Sequence, residues 1–325
     1  MKDGKYKLYA IMIISITLLI ITVGFNLLSV QIPKSMKDKN KEPVYFGATY
    51  MTMNNPYFEV INDEIRERIE SNGDELITMD PALSLKRQIS QIRYLITQNV
   101  KVIFLNAVDN EGLHEVLEEC KEANVKVIAI DTNIKEDEDI SCTIVSDNYD
   151  AGVQAAKDMM IRKESARILL LRHSQTVSGD QRIQGFVDTI AKHSQYKVVA
   201  SAECEGQLEK AMPIVDDFLK QGVSFDVVMA LNDPSALGAL AALQEHQKEN
   251  VMVYGVDGSP EIKQLISNGK MQGGTVAQSP LTMGKKAVFA AYKLIHKGNV
   301  NKETLTNVEL ITSENIAKYN LEGWQ

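Results

Sequence analysis

Cysteine is scarce in this chain: of 325 residues only Cys120, Cys142 and Cys204 carry a thiol, an odd number placed far apart. That excludes a disulfide framework and any cysteine-built metal centre. Two of the three sit in apolar, strand-like runs, where a free thiol behaves as a small core side chain. Catalytic signatures are missing too, for no phosphate loop, HExxH, GxSxG or CxxC occurs. The histidines, His114, His173, His193, His246 and His296, are scattered, mostly on polar helix faces where exposure is expected. Asp131 and Asp257 could in principle act as general acid and base, but no leaving-group chemistry accompanies them. No enzyme, cofactor or metal site is therefore expected. Basic runs are lacking as well: the formal net charge is −8 and acids alternate with bases, which excludes a phosphate-tracking surface and makes nucleic acid an unsuitable partner. There is no tandem repeat or low-complexity tract. What remains is a globular composition, 44% hydrophobic and 24% charged, on a chain long enough for two α/β lobes.

The first informative stretch runs from Leu8 to Val30, LYAIMIISITLLIITVGFNLLSV, without a charge. At about 1.5 Å per residue it spans the ~30 Å hydrocarbon core of a bilayer. A cleavable signal wants small residues before the cut, whereas this run ends in Leu27, Leu28, Ser29 and Val30. No cysteine lies near its end, which excludes a lipoprotein anchor. Residues 1–31 are thus expected to form an uncleaved single-pass anchor, in preference to a cleaved signal. Lys2, Lys5 and Lys7 on one side are matched by Lys34, Lys37, Lys39 and Lys41 on the other, so charge counting does not decide orientation. Residues 32–43, polar and closed by Pro43, read as a flexible tether.

Beyond Pro43, short runs rich in Val and Ile alternate with amphipathic stretches, the pattern of βαβ units and a parallel sheet. Strands are expected at 44–49, 75–80, 101–106, 125–130, 166–171, 197–202, 225–231, 251–256 and 273–277. Between them, Phe58, Ile61, Ile65 and Ile69 recur at helical spacing, as do Leu85, Ile89, Ile92 and Ile96, and Leu113, Val116, Leu117 and Cys120. Gly73 and Asn124 stand where left-handed helix ends are expected. Four strands run into a polar residue followed by proline: Asn55-Pro56, Asp233-Pro234, Ser259-Pro260 and Ser279-Pro280. Helix capping alone explains each of these. The same junctions, with Asn106, Asp131 and Asp257 also ending strands, are where open α/β sheets bind ligands.

NNPYF at 54–58, Asn106, Asp131 in VIAIDTN, SDN at 146–148, NDPSALGALAAL at 232–243, YGVDGSPE at 254–261 and TVAQSP at 275–280 together resemble the ribose-, allose- and galactose-type periplasmic binding proteins, from about Val44 onward. The resemblance implies an α/β fold of two Rossmann-like lobes joined by three hinge crossings. One lobe would comprise residues 44–145 with 279–307, the other 146–278 with 308–325. It further implies a small-molecule sugar held between the lobes by Asn55, Tyr57, Phe58, Asn106, Asp131, Arg182, Asn232, Asp257 and Gln278. Amides, carboxylates and one guanidinium match hydroxyls that both donate and accept, and Tyr57 and Phe58 offer faces to a ring's C–H surface. The chain departs from that family where the ribose binder has an arginine beside the aspartate: here stands Thr132, with Asn133 the candidate substitute. Gly206 and Val256 occupy places of cleft aromatics, and Met51 stands opposite the first polar contact. The sugar is therefore left open, and a polyol or sugar-like signal fits equally. Two partners are compatible with an extracytoplasmic domain tethered to the cell membrane: an ABC permease for uptake, or a sensor histidine kinase. A cytoplasmic regulator of the lactose-repressor type shares the fold but needs a helix-turn-helix where this chain has its apolar run.

Overall fold

The computed structural model describes residues 42–135 and 138–325. The anchor expected over residues 1–31, and all but the last two positions of the tether, lie outside the described residues. Among the described residues, no helix is long and apolar enough to cross a membrane.

Strand and helix alternate from the start: β1 (Tyr45–Thr49), α1 (Pro56–Ser71), β2 (Glu75–Met79), α2 (Leu85–Thr97), β3 (Val102–Leu105), α3 (His114–Glu122), β4 (Lys126–Ile130) and β5 (Cys142–Ser146). A second series follows: α4 (Asn148–Arg162), β6 (Ala166–Arg172), α5 (Val177–Ile190), β7 (Tyr196–Glu203), α6 (Leu208–Lys220), β8 (Val227–Ala230), α7 (Asp233–Glu245), β9 (Met252–Asp257), α8 (Pro260–Ser267) and β10 (Gly273–Ala277). The chain then adds α9 (Pro280–Ile295), β11 (Glu303–Thr306) and β12 (Glu309–Thr312).

These strands form two six-stranded sheets, ordered β11-β5-β4-β3-β1-β2 and β12-β10-β9-β8-β6-β7. The first is parallel throughout, and in the second only β12 runs antiparallel to its neighbour. The chain passes between the sheets after β5, between β10 and α9, and between β11 and β12. The first sheet is covered on one face by α1 and α9, where Phe46, Phe104, Ile61, Ile65 and Met283 pack, and on the other by α2 and α3, where Ile103, Leu105, Leu117 and Cys120 pack. The second sheet has its own core around Leu169, Val228, Met229, Val253 and Phe186. Because both faces of each sheet are covered, the strands are near-continuous apolar runs.

The nine expected strands all occur, each within two residues of its expected ends. β5, β11 and β12 were not anticipated: β11 and β12 are four-residue edge strands with half-exposed, polar sequences, which carry no apolar run. The stripes of α1 and α3 are buried as expected, while that of α2 turns toward Ile92 and Leu95 and leaves Leu85, Ile89 and Ile96 half-buried. Gly73 and Asn124 have the expected positive φ of 84° and 55°. Asn55, Ser259 and Ser279 cap their helices, but at the remaining proline junction the cap is Asn232, not Asp233. Asn232 accepts from the Ser235 N–H, which frees the Asp233 carboxylate to turn inward, where it accepts from Thr275 Oγ1 at 2.7 Å and the Ser259 N–H at 2.7 Å. All three cysteines are buried.

Candidate ligand cleft

The carboxyl ends of the parallel strands of both sheets face one another across a cleft. From the first sheet, the turn after β1 brings Met51, Asn55, Tyr57 and Phe58, and the tip of β4 brings Asp131. Asn55 accepts from the Tyr57 N–H at 3.0 Å, so the helix cap also sets both aromatic rings at the cleft wall. Those rings meet edge to face with centroids 5.7 Å apart, and Phe58 stacks on Tyr50 at 6.1 Å. Asn106, at the tip of β3, lies behind them: its Oδ1 accepts from the Met51 N–H, and its Nδ2 donates to the Ile130 carbonyl and, at 3.4 Å, to Asp131 Oδ2. Asn106 thus ties three strand ends together rather than lining the cavity.

The second sheet supplies the opposite wall. Arg182 on α5 is buried, its Nε donating to Asn148 Oδ1 at 2.8 Å and its Nη1 to the Leu231 carbonyl at 3.0 Å. Held so, its nitrogens stand 3.8 Å from Asp131 and 3.9 Å from Asp257. α5 lies this close because glycines face each other at the helix crossing: a β-carbon on Gly152 would overlap the Arg182 carbonyl, and one on Gly185 the Tyr149 carbonyl. Asn232 donates to the Gly206 carbonyl at 3.0 Å and accepts from Ser235, so capping consumes most of its hydrogen-bonding capacity. Gln278 lies behind Asp257 and donates to its Oδ1 at 2.8 Å. Asp131 and Asp257 both have positive φ, 68° and 144°, conformations that a packed surround must hold in place.

The lobes touch across the cleft. Asn54 Nδ2 reaches Gln207 and Glu209, the latter at 3.2 Å, and the Ser178 N–H donates to Thr132 Oγ1 at 3.2 Å. Burial raises the Asp131 carboxyl above the ordinary carboxylate range, opposed by Arg182. Burial, then the neighbouring Asp233 charge, raises Asp257 well above it. Two buried acceptors here have no partner, Asp131 Oδ1 and Gln278 Oε1.

Of the nine expected residues, seven line the cavity, and Asn106 and Gln278 stand directly behind Asp131 and Asp257. Asn133 is not the substitute for the absent arginine: its side chain turns outward to Glu303 at 2.7 Å on an exposed surface. His173 is not exposed but 5% accessible and at the cleft wall, because it ends β6 rather than riding a helix face. Thr176 and Ser178, at the cap and first turn of α5 after β6, and Glu205 and Gln207 in the loop after β7 also line the cavity and were not anticipated. The ends of those two strands were legible, and the strand-tip rule applied to them points to the same loops.

Two lobes, one hinge of three crossings and a polar cleft at facing strand ends define a substrate-binding protein of the two-lobed type. Residues 46–299 match the family described as periplasmic binding protein domain, and the chain belongs to that family. It is similar to the ribose import binding protein of Escherichia coli, 28% identical over 81% of this chain and 88% of that one. It is equally similar to the D-apiose import binding protein of Actinobacillus succinogenes, 28% identical over 82% and 87%. Among solved structures, the binding protein of the arabinose ABC transporter from Shewanella sp. ANA-3, bound to L-arabinofuranose, superposes with a TM-score of 0.79 at 26% identity, covering 85% and 93%. A Bacillus halodurans solute binding protein with bound myo-inositol superposes with a TM-score of 0.80 at 21% identity, covering 86% and 98%.

Proposed function

We propose that this chain captures a monosaccharide or similar polyol in the cleft between its lobes and undergoes no chemistry with it. The carrying observation is convergence: Asn55, Tyr57, Phe58, Asp131, Arg182, Asn232 and Asp257, spread over more than two hundred positions of sequence, surround one cavity. Orphan acceptors beside a guanidinium suit hydroxyls that donate and accept at once. The lobes, taken as residues 44–145 with 279–307 and 146–278 with 308–325, open and close about the three crossings, and closure completes hydrogen bonds that neither lobe makes alone. The relatives named as import binding proteins support delivery of the ligand to an ABC-type importer. The uncharged run Leu8–Val30 favours a single-pass anchor with the binding domain outside the membrane, and an anchored receptor could equally present its closed state to a sensor histidine kinase. Thermal-shift titration across pentoses, hexoses and cyclic polyols tests the binding step, with stabilisation by at least one of them expected. A panel that leaves the melting temperature untouched would sink it. Co-purification from native membranes separates the two partners: a permease supports uptake, a kinase supports sensing.

A further inference from the structure

Resting on that reading of the cleft, we infer that the captured sugar is a glycoside, with its sugar ring in the cleft and an apolar, ring-shaped aglycone in a second cavity beside it. That cavity, of about 330 Å³, lies between the turn after β1 and the starts of α6, α7 and α8. Asn55, Gly206, Gln207 and Asp257 line it and the cleft alike, so the two spaces adjoin at those residues. Gly206 leaves the junction clear: its φ is 69°, and a β-carbon there would come within 2.9 Å of Asn232 Nδ2, so this position holds no side chain. A free monosaccharide held in the cleft would leave the second cavity to water.

The walls of the second cavity select its occupant. Pro56, Leu208, Pro234, Leu237 and Trp324 give it an apolar lining. Leu208 is 39% exposed at the first position of α6, and Leu237 and Trp324 are half-buried, so part of that apolar surface stays in contact with water. The polar side chains beside them are engaged with one another or with backbone. Asn54 Nδ2 donates to Gln207 at 3.4 Å and to Glu209 at 3.2 Å, Gln207 Nε2 donates to the Glu205 carbonyl at 3.3 Å, and Ser259 caps α8. Glu261 is exposed to solvent. A second sugar ring would find few free donors and acceptors here, whereas an apolar ring needs none and removes the Leu, Pro and Trp surface from water. A cavity of about 150 Å³ accepts a benzene ring, so the space is large enough for a substituted one. Trp324, already edge to face with Tyr57, is placed to receive an aromatic partner.

Calorimetry on the full chain would compare ribose, arabinose, glucose and galactose with their α- and β-linked methyl and nitrophenyl glycosides, and with disaccharides of the same sugars. We expect one nitrophenyl glycoside to bind about tenfold or more tightly than its free sugar and its methyl glycoside, an advantage of ~1.4 kcal/mol. Leu208→Glu, which places a charge at an exposed helix start beside the cavity, should cut that ratio to about threefold or less. Trp324 is the chain's one tryptophan, so the bound nitrophenyl group should also quench its emission, a readout that needs no variant. Should Leu208→Glu not fold, the emission decides alone. Nitrophenyl glycosides that bind no better than the free sugars, keep their advantage in Leu208→Glu, leave Trp324 emission unquenched or are surpassed by the disaccharides overturn the aglycone cavity and leave monosaccharide capture standing. Binding by no member of the panel overturns both.

Discussion

Among the described residues, Arg182 is the cation that stands within 4 Å of both buried cleft carboxylates, and it is itself fixed by Asn148 and Leu231. Removing it strands both acids and the ligand hydroxyls it would serve. Arg182→Ala and Asp257→Ala are each expected to weaken ligand binding by about 2 kcal/mol or more, measured by calorimetry with whichever polyol stabilises the wild type. Unchanged affinity in both would remove these residues from the site. Asp257 also makes a prediction without ligand. Its carboxyl is raised, chiefly by burial, so the folded state holds a proton that the unfolded chain releases, and its contribution to stability is lost as pH rises from about 4. Asp257→Asn, which keeps an uncharged group there, should gain stability over the wild type at neutral pH, and the gain should shrink toward about pH 5. His173 acts in the reverse direction, its lowered basicity costing stability in acid, but it is common to both proteins and cancels in the difference.

At the scale of elements, the crossing of α4 and α5 decides where Arg182 points. Gly152 and Gly185 let the two backbones touch, and neither position has room for a β-carbon. Gly152→Ala should force the helices apart, costing about 1–3 kcal/mol of stability by urea denaturation. It should also weaken ligand binding although it touches no ligand. Binding retained at full strength in a destabilised Gly152→Ala protein would show that the crossing only holds the lobe together. The helix caps have a comparable double position: Asn55 and Asn232 each spend an oxygen on a helix N-terminus while standing at the cavity wall, so capping does not withdraw a side chain from the cleft.

Across the whole molecule, residues 320–325 reach from one lobe to the other. Lys263 on α8 donates to the carbonyls of Asn320 and Gly323, Ser279 donates to the Gln325 carbonyl at 2.6 Å, and Trp324 packs edge-on to Tyr57 with centroids 5.6 Å apart. This segment backs the same aromatic residue that forms part of the cavity wall. Trp324→Ala should therefore cost about 1–2 kcal/mol of stability and loosen Tyr57. Chemical denaturation and calorimetry together check this, since the substitution is expected to reduce affinity as well as stability.

The alternation of Val- and Ile-rich runs with amphipathic stretches determined the α/β architecture, because a strand buried on both faces must be apolar along its whole length. The proline-linked caps likewise placed helix starts at strand ends to within a residue. Of the missed strands, β11 and β12 are polar edges, in which backbone pairing with a neighbour does what side-chain burial does elsewhere, whereas β5 is a buried inner strand. Most of the cleft residues were recognised through family-like motifs. Their division into those lining the cavity and those behind it was decided only by the tertiary structure, as Asn106 and Gln278 show. The same holds for His173, and for Asn133, which turns away from the cleft to Glu303. A sequence lists which donors and acceptors are available. Which remain unpaired after folding depends on neighbours from distant strands, and that remainder is what a ligand meets.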